Sequence, residues 1–352
     1  MRLAALSLQN FRNYEHQTFY FPKLLTIIVG PNASGKSNLI EAVNILSSGK
    51  SFHADHDVEM LAFGKEVARV KGKITDVQEG AETLEFLLAH QEGRLTKKYL
   101  VNGISRRRVD FAGRVPSVLF LPSDIDIVIG SPGMRRRFLD SVLEQTDREY
   151  RIHLTAYEKA LRRRNKLLEQ VRETGRRDAR LFPYWDELVI ENGRYITKAR
   201  QAFLEFINAA DQATFPVQVE YDRSEISEER LWQYRQAEVG AGVTLVGPHR
   251  DDIVLMMENS ETKRRERIKA FGSRGQQRLA VLQLKMLQME YIEGKTGERP
   301  LLLLDDIFSE LDEGHMELLT GIMGKQQTIV TTTHKEFVGA IDTLSPDIIE
   351  LT

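Results

Sequence analysis

Gly30-Pro31-Asn32-Ala33-Ser34-Gly35-Lys36-Ser37 follows the apolar run Leu24-Leu25-Thr26-Ile27-Ile28-Val29 and leads into Asn38-Leu39-Ile40. A short apolar run ended by Gly30 and Pro31 reads as a buried strand. From Ser37 to about Ser47, Leu39, Ile40, Val43 and Leu46 recur at helical spacing, which predicts a helix. Strand and helix therefore frame a full G-x-x-x-x-G-K-[ST] pattern. The glycines let backbone N–H groups turn inward around phosphate oxygens, and the helix N-terminus adds the positive end of its dipole. In this pattern Lys36 reaches the β- and γ-phosphates of a nucleotide, and the Ser37 hydroxyl is a ligand for Mg²⁺.

A second stretch completes the chemistry. Leu301-Leu302-Leu303-Leu304-Asp305-Asp306 predicts a buried strand that ends in two carboxylates. Asp305 can hold the metal directly or through water. Asp306 faces away by strand alternation and can polarise an attacking water as general base. An acidic strand end is common by itself; with the phosphate loop it forms a pair. His334 follows the expected strand Thr328 to Thr332, and a polar group at the end of a neighbouring parallel strand can reach the same phosphate.

Composition sets the outer bounds. The 352 residues contain no cysteine, which excludes disulfides and cysteine-based zinc or redox sites. No apolar run is long enough to span a membrane, and the start of the chain lacks a secretory signal, so a cytoplasmic location is expected. The balance of 49 basic against 51 acidic side chains, net charge −2, gives no general attraction to polyanions.

Three regions follow one another. Residues 1–120 read as strand-rich, with strands at 68–74, 84–88 and 97–101 and a tight turn at Asn102-Gly103. Two long helices are expected next. One carries a heptad-like seam from Tyr150 to Val171, interrupted at Arg164 and ended by Gly175; the other runs from Tyr184 to Ala209. From 241 onward, strands at 243–246, 253–257, 301–304 and 328–332 alternate with helices at 275–291 and 313–323. The expected fold is α/β: a phosphate-loop core with an antiparallel β subdomain, formed by 1–120 and 241–352, into which a mainly helical domain at 121–240 is inserted.

Phe271-Gly272-Ser273-Arg274-Gly275-Gln276-Gln277-Arg278 contains a Ser-x-Gly-Gln core that resembles the signature of ABC-type ATPases. Ser309-Glu310-Leu311-Asp312 resembles their D-loop. The order of motifs, with Lys36 and Ser273 237 residues apart, is unlike a transporter subunit and unlike proteins with very long coiled-coil inserts. Leu8-Gln9-Asn10-Phe11-Arg12-Asn13-Tyr14, the segment from Pro122-Ser123-Asp124 to Asp140, and Gly247-Pro248-His249-Arg250-Asp251-Asp252 are similar to the RecF family of bacterial recombination mediators. The likeness covers essentially the whole chain. Departures are Ser123, where the family has an acidic residue, Asp306 in place of the usual Glu, and the lack of an identifiable Q-loop glutamine.

The resemblance implies a weak, DNA-stimulated ATPase with ATP and Mg²⁺ as cofactors. It implies an ATP-gated homodimer that binds duplex and gapped DNA. Its expected partners are RecR and RecO-like mediators, with the recombinase RecA helped indirectly onto single-stranded gaps in DNA damage repair and the SOS response. By the same resemblance, Gly30, Pro31, Asn32, Ala33, Ser34, Gly35, Lys36, Ser37 and Asn38 hold the nucleotide, with Arg12 and Asn13 close by. Ser37 and Asp305 hold the metal. Lys36, Asp305, Asp306 and His334 serve catalysis, and Ser273, Arg274, Gly275 and Gln276 act on the γ-phosphate held by the second copy. The alternative, a nucleotide-binding subunit of a transporter, is disfavoured by motif spacing and by the Gly247–Asp252 segment.

For DNA, the arginine triplets at 106–108, 135–137 and 162–164 are candidates, and residues 134–200 hold 17 Lys/Arg against 11 Asp/Glu. Such runs also serve as solvated helix faces or structural pairs, and the triplet at 135–137 is the clearest candidate for pairing with nearby carboxylates.

Overall fold

The computed structural model describes residues 1–76, 80–176, 180–212, 214–259, 262–307, 313–333 and 345–352. The chain divides into two compact units, Met1–Asp124 with Gln288–Thr352, and Ile125–Leu287.

The first unit begins with β1 (Arg2–Phe11), β2 (Tyr14–Tyr20), β3 (Leu25–Val29), α1 (Lys36–Ser48) and β4 (Val67–Asp76). It continues with β5 (Gly80–Gln91), β6 (Arg94–Val101), β7 (Ile104–Arg106), the short α2 (Arg108–Phe111) and β8 (Ser117–Phe120). The second unit holds α3 (Asp126–Ile129), α4 (Pro132–Thr146), α5 (Arg148–Thr174), α6 (Phe182–Ala209) and β9 (Gln218–Asp222). It adds α7 (Glu228–Ala241), β10 (Asp252–Glu258), β11 (Arg265–Arg267), α8 (Ile268–Phe271) and most of α9 (Arg274–Thr296). The chain then returns to the first unit with β12 (Leu301–Asp305), α10 (Glu313–Met323), β13 (Thr328–Thr332) and β14 (Asp347–Glu350).

Two sheets build the first unit. One is parallel, in the order β14-β3-β13-β12-β8; the other is antiparallel, in the order β2-β1-β4-β5-β6-β7. Every residue of β3, β12 and β13 is buried, as the unbroken apolar runs require for strands covered on both faces. Helix α1 packs between the two sheets. The spacing of its apolar residues predicts one buried face, yet Glu41, Ala42, Ile45 and Ser47 are buried as well, because a helix held between two layers has little solvent side. One core cluster joins Leu39, Ile40, Val43 and Leu46 to Leu6, Leu8, Val70 and Phe86 on one side and to Ile28, Leu303 and Ile329 on the other. Gly72 of β4 makes the close approach possible: a Cβ there would overlap the Leu46 side chain.

In the second unit α5 and α6 run antiparallel. His153 meets Asn192, Arg164 meets Asp186, and Leu168 packs with Phe182. Gly175 caps α5 in the left-handed conformation at φ 66°. The break in the seam at Arg164 is a buried charge. Its guanidinium, 2% exposed, donates to Asp186 (2.7 Å), Glu238 (2.7 Å) and the Thr244 hydroxyl (2.8 Å).

Two expectations need correction. Residues 243–246 form no strand. Thr244 instead donates its N–H to Asn165 Oδ1, and its carbonyl takes bonds from His249 and Arg250, so its backbone is satisfied without a ladder. The return to the ATPase part, expected at 241, comes at 288. The intervening segment stays with the second unit because β10 is paired on both sides, with β9 and β11.

Candidate functional site

The phosphate loop leaves the buried end of β3 and closes onto α1. Gly35 adopts φ 103°, and a Cβ there would fall 2.6 Å from Asn13 Nδ2 and 2.8 Å from the Tyr14 hydroxyl. The loop is thus held from outside by the turn between β1 and β2. Asn13 Nδ2 donates to Ser34 O (3.3 Å), Tyr14 OH donates to Gly35 O (3.0 Å), and Asn38 Nδ2 donates to Asn13 Oδ1 (2.8 Å). Burial pushes the Tyr14 hydroxyl up to about 12, so it stays a donor. Arg12, next to Asn13, is engaged on α1. Its guanidinium makes a two-pronged pair with Glu41 of α1, 2.8 Å at each contact, and a third bond to Glu59 O at 2.9 Å.

Pro31, Asn32 and Ala33 form the exposed crest of the loop, while Lys36 is buried and donates to Gly30 O (2.8 Å) and Pro31 O (2.7 Å). Ser37 Oγ donates to Asp305 Oδ1 at 3.0 Å. That carboxylate oxygen also accepts from Thr331 Oγ1 (2.7 Å), and the same hydroxyl accepts from the Asp306 N–H (3.0 Å). The strand ends at Asp305, and Asp306 turns into the left-handed region at φ 48°. The parallel registers align these strand ends, so loop, Ser37, Asp305, Asp306 and Thr331 share one edge of the sheet. His334 and the segment Ser309–Asp312 lie outside the described residues.

The donor set suits a small hard dication. No three or more His, Asp or Glu converge among the described residues, so there is no all-protein cage. One carboxylate and one hydroxyl facing a phosphate loop is the pattern by which Mg²⁺ is held together with phosphates and water. Ser34 Oγ, buried without a hydrogen-bond partner, leaves a polar atom of the loop unsatisfied within the protein.

In the second unit, Ser273 is the N-cap of α9. Its Oγ accepts from Gln276 N (3.2 Å), and Gln276 Oε1 accepts from Ser273 N (2.8 Å), a reciprocal capping box. Ser273, Arg274 and Gly275 are exposed, as is Phe271 just before them.

Comparison with known proteins decides the family. The sequence model of the RecF/RecN/SMC N terminal domain matches residues 2–346. A protein from Oceanobacillus iheyensis named DNA replication and repair protein RecF is 33% identical over 359 residues, covering 96% of this chain and 94% of its own. One of the same name from Picosynechococcus is 35% identical and covers 97% and 92%. The chain belongs to the RecF family. A solved structure of the recombination mediator RecF with ATPrS, from the RecFOR pathway, superposes with a TM-score of 0.84 at 30% identity over 95% of this chain and 93% of its own.

Two RecF-like segments noted in the sequence interlock in the second unit. Arg200 of α6 donates to Asp251 (2.9 Å), Asp140 (2.8 Å) and Pro248 O (2.7 Å). Asp251 also takes the Tyr221 hydroxyl and the Ser224 N–H. Arg135 grips Asp252 with two bonds, 2.6 and 2.9 Å, and Arg136 donates to Asp251 O (2.8 Å). The triplet at 135–137 is thus mainly structural, and its partners are Asp251 and Asp252. His249 sits between the Tyr157 hydroxyl (2.7 Å) and Thr244 O (3.0 Å). Burial, with Arg250, Arg136 and Arg164 nearby, lowers its pKa to about 4. His249 is therefore neutral at pH 7, donating to Thr244 O and accepting from Tyr157.

Thr331, Tyr14 and Glu41 were not singled out by the sequence. Tyr14 lies within the RecF-like N-terminal segment, and Thr331 lies near the end of a threonine-bearing strand, but their partners are distant in sequence. No helix among the described residues is long and apolar enough to cross a membrane.

Proposed function

We propose that the chain is an ATP-dependent DNA-binding protein of recombinational repair, a nucleotide-gated homodimer with slow ATP hydrolysis. The observation that carries this reading is the meeting of the Gly30–Ser37 loop with Asp305 through the Ser37 hydroxyl. Further support comes from relatives described as bound to ATP and ATPrS.

In this reading the amides of the loop from Asn32 to Ser37 face the phosphates, and Lys36 exchanges its two loop carbonyls for β- and γ-oxygens. Ser37 and Asp305 supply the protein oxygens for Mg²⁺, which when bound neutralises phosphate charge. Thr331 holds Asp305 in place. Asp306 acts as general base; its arm, one methylene shorter than Glu, positions water less well and slows turnover. His334 acts near the γ-phosphate. Asn13 and Asn38 set the shape of the loop, with Arg12 held close by on Glu41.

Ser273, Arg274, Gly275 and Gln276 present an exposed helix start to the γ-phosphate held by a second copy. ATP then strengthens the dimer because both copies touch it, and hydrolysis weakens that bridge. Duplex and gapped DNA are the expected ligands, RecR and RecO-like proteins the partners, and RecA the recombinase served.

Analytical ultracentrifugation with ATP and with ADP tests the reading. Wild type should dimerise with ATP only. Ser273→Arg should bind ATP yet stay monomeric; ATP-dependent dimers of that variant would remove the signature segment from the interface.

A further inference from the structure

The antiparallel sheet of the first unit has one face buried on α1 and one face in solvent. Strand pairing fixes which side chains share the outer face. Arg69, Lys71 and Lys73 of β4 stand opposite Gln9, Ser7 and Ala5 of β1, and opposite Leu87, Glu85 and Thr83 of β5. Lys98 of β6 stands opposite Leu87 on the same face. Arg69 is paired with Glu85 at 2.9 Å. Lys71, Lys73 and Lys98 are exposed and make no ion pair among the described residues. The patch therefore carries three uncompensated positive charges.

Fold stability does not account for them. Lysine is disfavoured in strand interiors, and like charges on neighbouring sheet positions repel. Lysine often guards a sheet edge against unwanted pairing. Here β4 is central, bonded to β1 on one side and β5 on the other, so it has no edge to guard.

The dimensions fit a polyanion. Lys71 and Lys73 are two residues apart, roughly 6.8 Å along the strand; Lys98 lies two strand spacings across from Arg69 and so roughly 12 Å from Lys71. Duplex DNA carries one charge per roughly 1.7 Å of axis, so a patch of this size faces several phosphates. The Arg69 guanidinium beside these lysines is held by Glu85 and is not free to read a guanine edge, which favours contact without sequence preference.

We propose that this outer sheet face is a docking platform for the sugar–phosphate backbone of duplex DNA, with Lys71, Lys73 and Lys98 on phosphates. The proposal rests on the DNA-binding reading above and names the surface that serves it.

The test is a salt series of fluorescence-anisotropy titrations with a labelled duplex. It compares the wild-type chain, the triple variant K71Q/K73Q/K98Q, and Arg163→Glu on the exposed side of α5. The triple variant should bind about 10- to 100-fold more weakly, and its slope of log affinity against log salt should flatten by roughly 2 to 3, close to 0.9 for each phosphate no longer neutralised. It should also keep the wild-type melting temperature. If wild type binds and the triple variant matches it in affinity and slope, the platform is wrong and DNA binding stands elsewhere. Loss of binding in Arg163→Glu alone would place it on α5. If wild type does not bind duplex at all, the DNA-binding reading fails and the platform with it. Stronger binding to phosphatidylserine vesicles than to duplex, through the same lysines, would overturn the choice of partner.

Discussion

In the second unit, Arg164, Arg200 and Arg135 lie sealed among carboxylates and carbonyls, each making several fixed bonds. On the antiparallel sheet of the first unit, Lys71, Lys73 and Lys98 stand in solvent without ion-pair partners among the described residues. The difference follows from side-chain chemistry. A planar guanidinium with five donors can satisfy itself in a low-dielectric interior, whereas an ammonium is a strongly hydrated point charge on a flexible stem. A dense basic run is therefore a poor guide to a polyanion surface when the run is arginine inside a helical core. Between 134 and 200, Arg135, Arg151, Arg164 and Arg200 are buried and hold helices together, while most of the other basic residues described there are exposed.

The comparison can be broken most forcefully at Arg200. Arg200→Ala leaves Asp140 and Asp251 without their cation and should cost about 3–5 kcal/mol, because an uncompensated buried charge remains. Urea denaturation measures this; a loss below about 1 kcal/mol would mean that the arginine cluster is not what holds the second unit.

A smaller effect belongs to His249. Its folded pKa, about 4, lies below the ordinary value of 6.5, so the unfolded chain binds the extra proton first. The stability it contributes is complete above about pH 6.5 and is lost as pH falls toward 4, up to about 3 kcal/mol. Between neutral and mildly acid pH, the urea midpoint should fall further for wild type than for His249→Gln; parallel curves would reject the assignment.

The smallest effect is expected on the sheet. Lys71→Ala should change stability by no more than about 0.5 kcal/mol in the same denaturation assay, since an exposed, unpaired group is removed. A loss above about 1 kcal/mol would make Lys71 structural and erase the contrast between the two regions.

What could be read from sequence was local. The strand, loop and helix around Gly30–Ser37 were legible because each rests on neighbouring residues, and so were the turn at Asn102-Gly103 and the stop at Gly175. Asp305 was legible because the carboxylates after four leucines accompany a complete phosphate loop at 30–37. Illegible were the pairings that bridge long separations. Nothing near Arg164 announces Glu238, and nothing near Asp305 announces Thr331. The return of the chain at 288 instead of 241 was hidden for the same reason. The affiliation of β10 is settled by its partners β9 and β11, and a strand pattern carries no label for its sheet.

Helix α1 starts at the phosphate loop and ends with Leu46 in the socket that Gly72 leaves open. It is a rod roughly 20 Å long, gripped along its length and without a joint. Such a helix joins the loop to the sheet directly through the core. With DNA on the lysine-bearing sheet, as proposed above, reciprocity would bind the two sites together: whatever an occupant of the loop did to the affinity of the sheet, an occupant of the sheet would do to the loop in equal measure.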